Sequence, residues 1–124
     1  LKKIEFVEIR RLNASSGLKE STVVKTTKEI KELYKKLNDS KYSRSTPIPV
    51  LENENEFFLV LKPRMKTLKN GDIEVEKIES DGSTLWVTYK EVENDEYKEN
   101  KQLNPILIIK ILNKPQKIKL NLIH

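Results

Sequence analysis

Cysteine is absent from this chain, histidine occurs once and glycine only three times. Without cysteine there is no disulfide framework, no thiol nucleophile and no thiolate metal site. The single histidine, His124, is the last residue, a position where chains fray. That argues against a Ser-His-Asp site, a zinc hydrolase and most histidine-based acid–base mechanisms. Gly17, Gly71 and Gly82 stand too far apart to build a phosphate-cradling loop, and neither G-x-G-x-x-G nor G-x-x-x-x-G-K-[ST] occurs. No apolar run approaches the roughly 20 residues that cross a bilayer as a helix. Together these absences predict a protein that is not an enzyme and needs no cofactor or metal.

What is present suits one compact domain over residues 1–124. A chain of this length buries about two-thirds of its unfolded surface, enough for a core without staples. Hydrophobic residues make up 36% and charged residues 35%, so a heavily charged surface encloses that core. The net charge of +5 is unevenly spread. Residues 1–40 hold ten basic and six acidic groups, residues 41–100 nine and thirteen, and residues 101–124 five and none. Cross-strand ion pairing explains this layout more simply than an anionic ligand does.

One helix is strongly signalled. Thr26 and Glu29 have the spacing of a capping box, and Ile30, Leu33, Tyr34 and Leu37 follow as one apolar stripe. Strands are expected at Lys3 to Leu12, with a phase change between Phe6 and Val7 that suggests a bulge or a doubly covered strand. A short β-prone run, Ser21 to Lys25, leads into the helix. Glu56 to Lys62 and Ile106 to Leu112 are near-continuous apolar runs, as in central strands buried on both faces. Asp72 to Glu79 alternates with a phase change at Ile78. Ser80-Asp81-Gly82-Ser83 is hairpin-turn chemistry. Thr84 to Val92 sets Leu85, Val87 and Tyr89 against Trp86, Thr88 and Lys90, and Lys117 to Leu122 alternates again. The fold class is therefore α+β, mainly β: a twisted, mostly antiparallel sheet or partly open barrel with one packed amphipathic helix.

Candidate contact residues are few. Lys62 to Lys69 holds four basic residues in eight, Lys62, Arg64, Lys66 and Lys69, with Met65 and Leu68 among them. The connection to Gly71 is longer than the usual two to five residues of a hairpin loop. Arg64, Lys66 and Lys69 are the partner-binding candidates there, together with Trp86 should its ring face outwards. Aromatic residues that would stack on bases are missing from the basic segment, which argues against nucleic acid. Glu91 to Glu99 lacks the glycine and ligand spacing of a calcium loop and reads as a solvated hairpin tip. Glu74 and Glu76 project from one strand face roughly 7 Å apart by strand geometry. They are the carboxylates an enzyme would use, and more simply a solvated face.

From Val24 onwards the order of elements resembles the C-terminal domain of PrcB-type protease-complex subunits. The resemblance is carried by the helix Thr27 to Leu37, by Phe57 to Leu61 running into Lys62-Pro63, and by Ile73-Glu74-Val75. An "LWVTYKEV" strand and the Gln102, Asn104, Pro105 entry into an apolar strand complete it. It covers about 100 of the 124 residues in short strings. The family's Thr-Gly-Gly-Tyr-type turn after Lys-Pro is replaced here by the longer Arg64 to Asp72. The resemblance implies a β-rich, non-catalytic, bacterial module that is exported or lipoprotein-like and tied to an extracellular protease. A start at Leu1 is what a removed leader would leave, so the expected location is the cell exterior or envelope. The leading expectation is a non-enzymatic binding or assembly domain that contacts a protein. The alternative is a small-ligand, anion or nucleic-acid module using the basic 62–69 loop.

Overall fold

The computed structural model describes residues 1–13, 19–37, 51–52, 54–62, 71–93 and 105–123. Among the described residues the chain is mainly β with one helix. Its strands are β1 (Lys2–Lys3), β2 (Phe6–Asn13), β3 (Ser21–Val24), β4 (Phe57–Leu61), β5 (Gly71–Ser80), β6 (Thr84–Glu93), β7 (Pro105–Ile111) and β8 (Lys117–Ile123). The helix α1 (Thr27–Leu37) lies between β3 and β4. The strands form two four-stranded sheets that do not close into a barrel. One, the central sheet, has the order β2-β7-β4-β3. The other, the outer sheet, has the order β1-β5-β6-β8. Every pairing is antiparallel except β6 with β8, which is parallel.

Three layers result, and the apolar patterns dictate them. Alternate residues of β4 (Phe57, Leu59, Leu61) and β7 (Leu107, Ile109, Ile111) meet Ile73, Ile78, Leu85, Val87 and Tyr89 of the outer sheet. The intervening residues Phe58, Val60, Ile106 and Ile108 point the other way, where Ile30, Leu33 and Tyr34 of α1 cover them. A strand covered on both faces favours apolar residues throughout, so both β4 and β7 read as near-continuous apolar runs, interrupted in β7 only at Lys110. Each fully buried Leu, Ile or Phe stabilises such a core by about 1.5–3 kcal/mol.

The helix begins where expected. The Glu29 amide donates to Thr26 Oγ1 at 3.1 Å, and the Ile30 amide donates to the Thr26 carbonyl at 3.2 Å. The Glu29 carboxylate accepts from the Thr26 hydroxyl at 3.2 Å, so only one arm of the reciprocal capping box is made. Ile30 and Leu33 are buried as expected, while the side chain of Leu37 lies outside the described residues.

The expected single strand from Lys3 to Leu12 is corrected to two. The chain leaves the outer sheet after β1, crosses at Ile4 and Glu5, and enters the central sheet as β2. Ile4 is buried between the sheets, and its amide donates to the Ile78 carbonyl at 2.8 Å. The bulge does occur, but between Glu8 and Arg10 and not at Phe6. The phase change at Ile78 follows a bulge in β5 between Val75 and Lys77. Arg11 of β2 ties this side of the two sheets together. It donates to the Ile73 carbonyl and pairs with the buried Asp72 at 3.2 Å.

Candidate functional site

The two sheets differ in what covers them. The central sheet has the outer sheet on one face and α1 on the other. The outer sheet has the core on one face and, among the described residues, solvent on the other. On that open face the register sets three cross-strand rows: Glu79–Trp86–Lys119, Lys77–Thr88–Asn121, in which Thr88 itself is buried, and Glu74–Lys90–Ile123. β5, β6 and β8 thereby present a patterned surface.

Trp86 sits on the middle strand of this surface, in the row nearest the β5–β6 turn, half-buried and facing outwards, as the alternation against Leu85 and Val87 requires. The Lys119 ammonium lies 5.0 Å from the centroid of its ring, within cation–π range. The indole Nε1–H donates to Asp81 Oδ2 at 3.4 Å, a long contact. A large apolar surface thus stands on a solvent face with its polar edge oriented, the usual make-up of an interface anchor.

The turn beneath Trp86 is rigidly organised. Asp81 Oδ1 accepts from the Ser83 amide at 2.9 Å, the Thr84 amide at 2.8 Å and the Ser83 hydroxyl at 3.1 Å. Gly82 adopts φ 99°, a left-handed conformation that a side chain would strain. The amides of Ser83 and Thr84, ahead of the other hydrogen bonds, hold the Asp81 carboxyl down to about 2 from its ordinary 3.8. Ser80 Oγ donates to Gln116 Oε1 at 2.8 Å, and Gln116 Nε2 reaches the Gly82 carbonyl at 3.5 Å. Gln116 directly precedes β8, so the turn also fixes where that strand starts.

Charges on the open face divide into two groups. Lys90 lies 2.6 Å from Glu76 and 3.9 Å from Glu74, and Lys77 lies 3.2 Å from Glu79. The hydrogen bond and charge of Glu76 raise the pKa of Lys90. Glu74 and Glu76 therefore share one ammonium on an exposed surface, the solvated-face reading of this pair. On β8 the balance is different. Among the described residues no carboxylate lies within ion-pair distance of Lys117 or Lys119.

Of the expected contact residues, Trp86 is the one the structure places. Arg64, Lys66 and Lys69 lie outside the described residues, as do most of Glu91 to Glu99 and His124. No group of three or more metal-ligating side chains occurs among the described residues. Sequence reasoning missed the partners of Trp86. Asp81 was seen only as turn chemistry, although its position five residues before Trp86 brings it back to the ring through the hairpin. Lys119 falls on the polar side of the alternating Lys117 to Leu122 run, but its place beside Trp86 depends on the parallel β6–β8 pairing, which alternation does not encode.

No family model matches the chain, and comparison with curated proteins and with solved structures finds nothing similar to it.

Proposed function

We propose that this chain is a non-enzymatic binding or assembly domain that docks a protein partner on the open face of its outer sheet. One observation carries the reading: Trp86 stands on a solvent-facing sheet surface with its ring stacked by Lys119 and its N–H directed at Asp81. Tryptophan is strongly enriched among residues that dominate binding energy, and a pre-oriented ring loses little entropy on contact. The salt-bridged charges around it suit a polar rim. The resemblance to PrcB-type subunits supports a bacterial, exported or envelope-associated setting in which the partner is tied to a protease.

The test uses the folded wild-type chain, Trp86→Ala, and a variant with Arg64, Lys66 and Lys69 all changed to Ser. Each is cross-linked to proteins of the host's envelope and secreted fractions, with peptide, ester, phosphate and glycoside turnover measured alongside. Trp86→Ala is expected to lose its cross-linked partner while the triple variant keeps it. Partners retained unchanged by Trp86→Ala would remove this face as the site. Turnover abolished by Glu74→Gln or Glu76→Gln would instead make the chain an enzyme.

A further inference from the structure

β8 is an edge strand, and three of its properties point to one kind of occupant. Seven residues long, it has one hydrogen-bonded neighbour among the described residues, β6. Alternate residues of a strand turn their N–H and C=O groups to opposite sides, so half of this backbone faces away from the sheet with no ladder partner among the described residues. Its inward side chains Ile118, Leu120 and Leu122 pack on the inter-sheet core but remain half-buried, whereas their β6 partners Leu85, Val87 and Tyr89 are buried. Among the described residues the core is thus open along this edge. The outward side chains are Lys117, Lys119, Asn121 and Ile123, which is 38% exposed. No acidic residue occurs anywhere after residue 100 to neutralise these lysines.

We propose that the free edge of β8 takes up an extended, acidic segment of a protein partner as an added strand. This deepens the binding-domain reading and rests on it, placing the edge beside the Trp86 face as part of one surface. The added strand would carry Glu or Asp on the solvent face opposite Lys117 and Lys119, and apolar residues inwards beside Leu120 and Leu122. Lysines on an edge strand discourage pairing with a second copy of the same chain, because the lysines of both copies would share one face with no carboxylate between them. The same lysines select for an acidic strand. Main-chain hydrogen bonds supply affinity in this mode, and the alternating side chains supply specificity.

The experiment titrates isotope-labelled full chain with a seven-residue peptide alternating valine and glutamate, followed by amide chemical shifts and hydrogen exchange. Parallel titrations use a valine–lysine peptide and a glutamate peptide with N-methylated alternate amides. The acidic peptide is expected to shift the β8 amides, slow their exchange and bind less tightly as salt rises. Changing Lys117 and Lys119 to Glu together should weaken it by about tenfold or more and admit the valine–lysine peptide instead. N-methylation should abolish binding. No binding at the solubility limit, shifts confined to other strands, equal affinity for the charge-reversed variant, or self-association through β8 would each overturn the proposal. A peptide that binds β8 while Trp86→Ala keeps its cross-linked partner sinks the Trp86 reading and leaves the edge standing. The converse result does the opposite.

Discussion

The central and outer sheets have the same number of strands but spend them differently. In the central sheet, β4 and β7 are covered on both faces, and no apolar side chain from Phe57 to Leu61 or from Ile106 to Ile109 could be lost without opening a cavity. In the outer sheet, β6 buries Leu85, Val87 and Tyr89 and leaves Trp86 and Lys90 facing out. Two aromatic residues make the contrast concrete. Phe58 and Trp86 both point away from the inter-sheet core, yet Phe58 is fully buried under α1 and Trp86 is half-buried, with the Lys119 ammonium over its ring. A doubly covered sheet gives stability and leaves no surface. A singly covered one keeps a face on which side chains are free to be chosen for binding.

The largest effect that could break this contrast comes from the helix. Leu33→Asp buries an unpaired carboxylate against the central sheet and is expected to cost more than about 4 kcal/mol. An unchanged melting temperature would mean that α1 is detached and that both sheets have one open face. Phe58→Ala tests the same layer by removal, with an expected loss of about 3–4 kcal/mol in urea unfolding. Glu56→Gln comes next. The buried Glu56 carboxylate pairs with Lys110 at 3.2 Å and accepts from the Glu52 amide, one residue before β4. Losing its charge strands the Lys110 ammonium and should cost about 2 kcal/mol. Adding Lys110→Met should recover most of that, since a neutral pair needs no compensation. Failure to recover would place the loss in packing and not in charge.

How much of this was legible in sequence follows from the range of the interactions. The helix start, the Asp81–Gly82 turn and the alternation of β6 involve residues within a few positions of one another, and the residue types announce them. The doubly covered strands were legible because only such strands tolerate Phe57-Phe58-Leu59-Val60-Leu61. The division into two sheets was not, because it depends on which strands pair. Glu5 gives no sign that the chain changes sheet there, and the Ile4–Phe6 alternation continues across the break. Trp86 could be singled out by type and placed on the polar side of its strand. Its neighbours Asp81 and Lys119, and the open edge beside it, depend on hairpin geometry and on a pairing between strands far apart in sequence.

Trp86→Ala sharpens the contrast from the other side. The ring is half-buried and held by one cation–π contact and one long hydrogen bond. Its removal is expected to cost about 1 kcal/mol, well below Phe58→Ala, because no cavity forms on an open face. Equal losses at the two positions would show that Trp86 belongs to a core, and its standing as a contact residue would fall with that result.

The smallest expected effect concerns Asp81 and is read through pH. Its carboxyl is held down to about 2 by the amides of Ser83 and Thr84, against 3.8 ordinarily. A group whose folded pKa is depressed adds stability that is fully present above its unfolded value. That contribution declines as pH falls below about 4 and is lost once pH passes below the folded value near 2. Asparagine keeps the acceptor oxygen but carries no charge to titrate, so Asp81→Asn should remove this one contribution to the slope. The melting temperatures of wild type and variant, measured from neutral pH down to about 2, should differ most above pH 4 and converge as pH falls. A difference that stays constant across that window would show that the carboxylate is not held by the turn. The oriented indole of Trp86 would then need another anchor.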